Sequence, residues 1–94
     1  MPTVEVQFHG IWGLYLGSGK FKLECDTVDT LMESVESKFG DSLRKKIQEH
    51  GAKLDGGIAK YSYIALNDTS LKQLDNVKLK SGDVLHIFAS IPGG

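Results

Sequence analysis

The sequence predicts a single α+β domain in which a mixed sheet of four to five strands packs on one main helix. Its 94 residues are enough for one domain, and 40% apolar with 24% charged residues is an ordinary composition for a soluble globular protein. Apolar residues alternate near both ends of the chain, which indicates strands, and recur at helical spacing between them. No internal repeat or domain linker divides the sequence.

The first two strands are expected to form a hairpin. Residues Thr3 to Gly10 alternate, with Val4, Val6 and Phe8 on one face, and this period of two is typical of a half-buried strand. The alternation resumes over Phe21 to Cys25. Four glycines lie within ten residues between the strands, and we expect turns and no regular element there. They are Gly10, Gly13, Gly17 and Gly19.

The main helix follows the second strand. Thr27 is a suitable N-cap, because its hydroxyl can accept from a free amide of the first turn, and Asp29 suits the positive end of the helix dipole. The apolar positions that follow, spaced by three and four, form the stripe of an amphipathic helix. They are Val28, Leu31, Met32, Val35 and Phe39. We expect Gly40 to end this helix as a left-handed cap.

The second half of the chain contains shorter elements. Asp41 to His50 predicts a second helix that ends at Gly51, and Ala52 to Gly57 predicts a loop. Tyr61 to Leu66 predicts a third strand that is closed by a turn at Asn67-Asp68.

A short segment containing Leu71 and Leu74 should pack on the core, and Ser81-Gly82-Asp83 should turn into a last strand, Val84 to Ala89. With a helix crossing a hairpin, the last strand must lie beside the first. This arrangement is the β-grasp fold.

Composition excludes several classes of function. A net charge of −1 does not support a nucleic-acid interface, and no apolar run approaches the 18 residues of a membrane span. Cys25 is the only cysteine and closes no intramolecular disulfide, so a reducing compartment is expected. No signal-peptide pattern opens the sequence. We expect a cytoplasmic protein without membrane or nucleic-acid partners.

An independent enzyme is also not predicted. His9, His50 and His86 lack the spacing of metal ligands, and we expect no metal site. Cys25 has no cationic neighbour in sequence and is expected to be buried instead of nucleophilic. Gly17-Ser18-Gly19 lacks the context of a phosphate-binding loop.

The sequence ends in two glycines, which at average glycine usage would arise by chance in about 0.5% of chains. We expect residues 1–89 to form the domain and residues 90–94 to form a flexible tail. Glycine has no Cβ and can enter a narrow active site, so Gly93 would give clearance while the carboxylate of Gly94 reacts. Pro92 would restrict the approach of the tail by fixing φ.

Several stretches of the chain resemble ubiquitin-like sulfur carriers. They are the capped helix from Thr27, Leu66-Asn67-Asp68, Leu79 to Val84, and the last strand with its Pro92-Gly93-Gly94 tail. The resemblance covers the whole chain as architecture, and its motifs lie mainly in the last third. One departure is the tail, because molybdopterin-type carriers commonly have a Pro-Pro pair where this chain has Ala89-Ser90.

The resemblance implies a function in which the protein is a carrier and not the catalyst. A separate activating enzyme would use ATP to adenylate Gly94, and the product would become a thiocarboxylate that donates sulfur in cofactor biosynthesis, with a molybdopterin-type pathway favoured. The implied partners are that adenylating enzyme and a sulfur-accepting synthase subunit. The chain itself would bind no cofactor, and it could be the small non-catalytic subunit of the synthase.

The resemblance also implies a docking surface. If Leu85 and Ile87 face the helix, His86 and Phe88 point outward beside the tail and, with Ile91, could contact a partner. Exposed aromatic residues are enriched at such sites. The alternative is that Phe88 packs at an edge of the sheet.

Two other functions remain open. A ubiquitin-like modifier would use the same activated Gly94 and end on a lysine amine of another protein. A non-covalent β-grasp interaction module would have a Gly-Gly ending without chemical significance.

Overall fold

The computed structural model describes residues 1–90, which form a five-stranded mixed sheet with a helical layer on one face. The strands are β1 (Thr3–His9), β2 (Lys20–Glu24), β3 (Ser62–Leu66), β4 (Thr69–Ser70) and β5 (Val84–Ala89). The helices are α1 (Ile11–Leu16), α2 (Val28–Val35) and α3 (Asp41–Glu49), with short 3-10 turns at Ile58–Tyr61 and Leu71–Gln73. Ile91, Pro92, Gly93 and Gly94 lie outside the described residues.

The strand order is β2-β1-β5-β3-β4, with β1 and β5 parallel near the centre. β2 pairs antiparallel with β1, and β3 pairs antiparallel with β5. The predicted hairpin, the placement of the last strand beside the first, and the β-grasp fold are therefore confirmed. The third strand begins one residue later than predicted, because Tyr61 ends a 3-10 turn.

The core lies between the sheet and the helical layer. Alternate residues of β1 and β5 face it, and the apolar stripe of α2 covers them. The buried members are Val4, Val6, Phe8, Leu85 and Ile87 from the sheet, with Val28, Leu31 and Val35 from α2. The rings of Phe8, Phe21 and Phe39 meet edge-on or tilted, with centroids 4.7–5.9 Å apart. Cys25 is buried, as predicted.

The start of α2 is fixed by local hydrogen bonds. The hydroxyl of Thr27 accepts the amide of Thr30 at 3.3 Å, and the hydroxyl of Thr30 accepts the amide of Thr27. These reciprocal bonds satisfy donors that the first turn of a helix leaves free. Asp29 lies in that turn, and its amide donates to the side-chain oxygen of Asn76. The predicted N-cap is confirmed.

The predicted end of this helix is wrong. Gly40 has a right-handed φ of −58° and is not a left-handed cap. The chain continues through a π-helical turn, Glu36–Gly40, directly into α3. A Cβ at Gly40 would collide with the carboxylate of Glu36. That carboxylate accepts the amide of Ile58 at 2.9 Å and pairs with Arg44. Gly40 is thus needed for space and not for a positive φ.

The prediction of turns without a regular element between β1 and β2 is also wrong, because α1 lies there. Trp12 is completely buried, and its ring nitrogen donates to the hydroxyl of Ser62 at 2.9 Å. Gly13 is inside the helix, where a Cβ would come within 2.7 Å of the carbonyl oxygen of Phe8. Burial of one large aromatic side chain stabilises this short glycine-containing helix.

The two turn motifs near the C-terminal strand form one hydrogen-bonded unit. Asn67, at a positive φ of 54°, donates its amide to the carbonyl of Val84 and accepts the amide of Val84 with its side chain. Asp83 accepts from the side chain of Asn67 and from the amide of Lys80. Asp83 is therefore a turn residue, as predicted, and this unit aligns the start of β5.

Replacement of Trp12 tests how strongly α1 is held. Trp12→Ala should lower the free energy of unfolding by about 3–5 kcal/mol, because it leaves a cavity and removes the bond to Ser62. Chemical denaturation followed by circular dichroism measures the change. Leu14→Ala is the control on the same helix, since Leu14 is 77% exposed, and should change the value by less than about 0.5 kcal/mol. Equal effects of the two variants would contradict the packing described.

Candidate functional site

β5 is the last strand of the described residues and is hydrogen-bonded on both sides. Leu85 and Ile87 are fully buried against the helical layer. Side chains alternate along a strand, so His86 and Phe88 lie on the opposite, outer face of the sheet. Both side chains therefore face outward, and their role in docking stays a prediction. Ile91, the third predicted docking residue, lies outside the described residues.

Four side chains form a cluster on this outer face: His9, Tyr63, His86 and Phe88, here called the outer-face cluster. Phe88 is opposite His9 of β1 on one side and opposite Tyr63 of β3 on the other. The rings of His9 and Phe88 are stacked with centroids 4.3 Å apart, and those of Tyr63 and Phe88 are 6.0 Å apart. Phe88 is 40% exposed on an internal strand, so it does not pack at a sheet edge.

The cluster contains a contact that the sequence analysis did not predict. His9 Nε2 lies 3.0 Å from His86 Nδ1, although 77 residues separate them. The sequence does place the last strand beside the first, but the register that brings these two residues together depends on the folded core. Burial lowers the pKa of His9, and the proximity of His86 lowers it further.

The last described residue continues the β5 ladder. The amide of Ser90 donates to the carbonyl of Tyr61 at 2.7 Å. Because β1 and β5 are parallel, Ser90 follows β5 at the same end of the sheet as His9. The predicted reactive residue Gly94 and its neighbours Pro92 and Gly93 lie outside the described residues. Their roles remain predictions.

The other candidate residues have local structural partners. His50 stacks on Tyr15 and bonds the carbonyl of Lys46 at 2.8 Å through Nδ1. Cys25 Sγ lies 3.6 Å from the hydroxyl of Ser34. Within residues 1–90, no three His, Cys, Asp or Glu side chains are grouped so that they could hold a metal ion. None of the helices in this part of the chain is long and apolar enough to span a membrane.

Two grooves lie on the surface of residues 1–90, one away from the outer-face cluster and one at its border. An apolar groove of about 470 Å³ separates α2 from the 3-10 turn at Ile58–Tyr61, with Met32, Val35 and Ile58 among its lining residues. A more polar groove of about 350 Å³ runs beside β3 to Ser90 and is lined in part by Lys60 and Lys72. The second groove therefore borders the point where the described chain ends.

The His9 contact predicts a specific pH dependence of stability. Because its pKa is lowered in the folded chain, protonation favours the unfolded chain. The contribution of neutral His9 to the free energy of unfolding is complete above its unfolded pKa, near 6.5. This contribution is lost as the pH falls towards the lower pKa of the folded chain. Urea denaturation across this range should show the decline.

The decline should become shallower in His9→Gln and persist in His50→Gln, the control. An unchanged profile in His9→Gln would contradict this prediction.

No family model matches the chain. Chaperonin GroEL 1 of Polaromonas naphthalenivorans (strain CJ2) is 33% identical in an alignment of 84 residues that covers 83% of this chain. The chain spans 15% of the length of that curated relative, and the activity of the chaperonin is not assigned to it.

Three solved structures are similar over nearly their whole length. Small archaeal modifier protein 1 of Methanosarcina acetivorans has a TM-score of 0.70 at 20% identity, over 100% of this chain and 98% of that chain. The putative molybdopterin converting factor subunit 1 of Pyrococcus furiosus has a TM-score of 0.65 at 20% identity, over 97% and 100%. The complex of subunits 1 and 2 of the molybdopterin-converting factor from Helicobacter pylori 26695 gives 0.58 at 24% identity, over 98% and 99%.

The expected resemblance is confirmed at the level of the fold. The matches extend over both the sheet and the helical layer, because each covers nearly all of both chains. The chain therefore has the ubiquitin-like β-grasp fold, which it shares with the archaeal modifier protein and with the matched converting-factor chains.

Proposed function

We propose that the chain is a sulfur carrier, in which the carboxylate of Gly94 is adenylated and converted to a thiocarboxylate. The observation that carries the proposal is the position of β5, an internal strand that ends at Ala89 beside the outer-face cluster, a few residues before Gly94 in sequence. A substrate whose own C-terminus reacts needs such an anchor. The similarity to converting-factor subunits supports a molybdopterin-type pathway.

The proposed chemistry follows from the poor reactivity of a carboxylate, whose leaving group would be oxide. A carboxylate oxygen of Gly94 attacks the α-phosphorus of ATP and releases pyrophosphate, which gives an acyl adenylate. Hydrosulfide from the sulfur donor then attacks the carbonyl carbon, displaces AMP, and leaves the thiocarboxylate after loss of its proton. The activating enzyme supplies ATP binding and catalysis, and the chain supplies the acyl group. We place this reaction in the cytosol, where thiols remain reduced.

The tail would connect this chemistry to the folded domain. Residues 90–94 can reach at most about 17 Å when fully extended, so the domain must dock close to the partner's active site. The absence of side chains at Gly93 and Gly94 leaves room for backbone to enter a narrow channel. Pro92 would reduce the conformational entropy lost on entry.

The outer-face cluster is the proposed docking surface for the activating enzyme and for a sulfur-accepting synthase subunit. Phe88 and Tyr63 are the two large apolar side chains of the sheet that remain substantially exposed in residues 1–90. Phe88 is held by stacking on His9, and a preorganised aromatic ring loses little entropy on binding. The Helicobacter pylori structure, a complex of subunits 1 and 2 of its converting factor, supports a docking role for this fold.

A ubiquitin-like modifier is the second candidate function. The similarity to small archaeal modifier protein 1 favours it. The acyl adenylate would pass to a thiol and then to a lysine amine, so both functions share Gly94 and the activation step. A non-covalent interaction module is the third, and it would need the outer-face cluster but no reaction at the tail.

Intact-mass spectrometry distinguishes these functions. After incubation with ATP, the activating enzyme and a sulfur donor, the full chain should gain about 16 Da, the difference between sulfur and oxygen in the acyl-transfer product. A chain shortened to end at Pro92 should show no gain in mass, since it lacks Gly93 and the reactive carboxylate of Gly94. The shortened chain retains all described residues and serves as the test of the tail alone.

Attachment of the chain to lysines of other proteins, without the mass gain, would indicate the modifier. Reaction of the chain that ends at Pro92 would eliminate both covalent functions.

Replacement of Phe88 tests the docking surface. Phe88→Ala should weaken binding to the activating enzyme at least about tenfold, or ~1.4 kcal/mol, if Phe88 is a binding hot spot. Isothermal titration calorimetry measures the affinity. Gln48→Ala is the control, because Gln48 is exposed on α3 in the helical layer. Equal affinities of Phe88→Ala and the parent chain would place the docking surface elsewhere.

A further inference from the structure

Two imidazole nitrogens of the outer-face cluster take no part in the chemistry of the proposed carrier function. They are His9 Nε2 and His86 Nδ1, which lie 3.0 Å apart on neighbouring strands. In the register, His9 is opposite Phe88 and His86 is opposite Gln7, so the two histidines are diagonal neighbours on one face. Diagonal neighbours on one face are within reach of such side chains.

The two rings are held in this arrangement by packing. Their planes are within 28° of parallel, with centroids 5.2 Å apart. The other stacking partner of His9 is Phe88, whose ring is within 13° of parallel. A hydrogen bond between the two nitrogens accounts for the pair in the absence of any ion. The same preformed geometry would also suit a metal ion bound by both nitrogens.

That use is suggested by the separation of the two nitrogens. Metal–imidazole bonds are about 2.0–2.1 Å long, so two nitrogens in cis positions of a square plane are about 2.8–3.0 Å apart. In a tetrahedral site the separation would be about 3.3–3.4 Å. The observed 3.0 Å lies at the upper end of the range expected for the square-planar arrangement. Cu²⁺ and Ni²⁺ prefer this geometry with nitrogen ligands.

We propose that His9 and His86 form a two-histidine chelate for Cu²⁺ or Ni²⁺ on the outer face of the sheet. The ion would replace the hydrogen bond between the rings. Each imidazole would be neutral and carry its proton on the other ring nitrogen, His9 Nδ1 or His86 Nε2, so that both facing lone pairs bind the ion. Water would complete the coordination, because no third metal-binding side chain joins the pair within residues 1–90.

The ligand set predicts an exchangeable site with a defined order of affinity. Two neutral nitrogens with water ligands should bind Cu²⁺ more tightly than Ni²⁺, in accordance with the general order of divalent metals. Zn²⁺ would bind more weakly than Cu²⁺, since a tetrahedral ion requires the two rings to separate. Mg²⁺ and Ca²⁺ require oxygen ligands and should not bind at this pair.

Occupancy would also affect docking, an inference that rests on the proposed function. A hydrated divalent ion between His9 and His86 lies beside Phe88, at the centre of the outer-face cluster. Bound water would have to be displaced before an apolar partner surface could contact Phe88. Metal binding and docking should therefore compete.

Metal binding can be measured on the isolated full chain, without the activating enzyme. Calorimetry with NiCl₂ should give one site per chain, and electron paramagnetic resonance with CuSO₄ should show splitting from two nitrogen ligands. In ¹⁵N–¹H NMR spectra, Cu²⁺ should broaden first the amide signals around His9 and His86. Broadening centred on His50 or on the amine of Met1 would overturn the proposal.

Variants test whether the two histidines act together. His9→Gln and His86→Gln should each weaken Ni²⁺ binding at least about tenfold, because each converts a chelate into a single ligand. The control His50→Gln should bind as the parent does, since His50 bonds to its own helix. The NMR spectrum of each variant verifies the fold. Binding unchanged in either folded variant would overturn the chelate.

A competition experiment separates this inference from the proposed function. If metal binding and docking compete, Ni²⁺ should weaken binding of the parent chain to the activating enzyme. It should have little effect on the binding of His9→Gln to that enzyme. A chain that binds Ni²⁺ but docks equally well would refute the competition and leave the metal site intact. A chain that docks normally but binds no Ni²⁺ would refute the metal site alone.

Discussion

The parallel pairing of β1 with β5 is the contact on which the rest of the structure depends. It joins the two ends of the chain near the centre of the sheet, so β5 receives hydrogen bonds from both β1 and β3. Its register turns Leu85 and Ile87 towards the core and leaves Phe88 outside. A shift of one residue would exchange these faces and expose the core residues. The same register determines that His9 meets His86.

Much of the fold could be predicted from the sequence because its signals are local. Alternation reveals β1 and β2, and the spacing of apolar residues reveals α2. The N-cap at Thr27 depends only on residues within one turn. Its reciprocal hydrogen bonds with Thr30 form as soon as a helix begins at this position. The position of β5 beside β1 then follows from the order of elements, since few topologies bury a helix against these strands.

The features that the sequence did not predict depend on distant partners. A glycine after an apolar helical stripe is typical of a C-terminal cap, and Gly40 fits that pattern. In the structure, however, the carboxylate of Glu36 occupies the space that a side chain at Gly40 would need. The helix α1 forms in a glycine-rich stretch because Trp12 finds both a core site and an acceptor in Ser62, 50 residues away. The histidine pair likewise requires the strand register. Periodicity carries no information about any of these contacts, so local signals pointed to a turn or to isolated residues.

The position of β5 also has a mechanical consequence. A partner that pulls on the chain beyond Ser90 applies force along the axis of β5, parallel to β1 and antiparallel to β3. The load then acts across both ladders of hydrogen bonds together, in shear, and the bonds do not open one after another from one end. Such a strand resists extraction far better than an edge strand such as β2 would. The domain can therefore be held firmly by its terminus while its core remains folded.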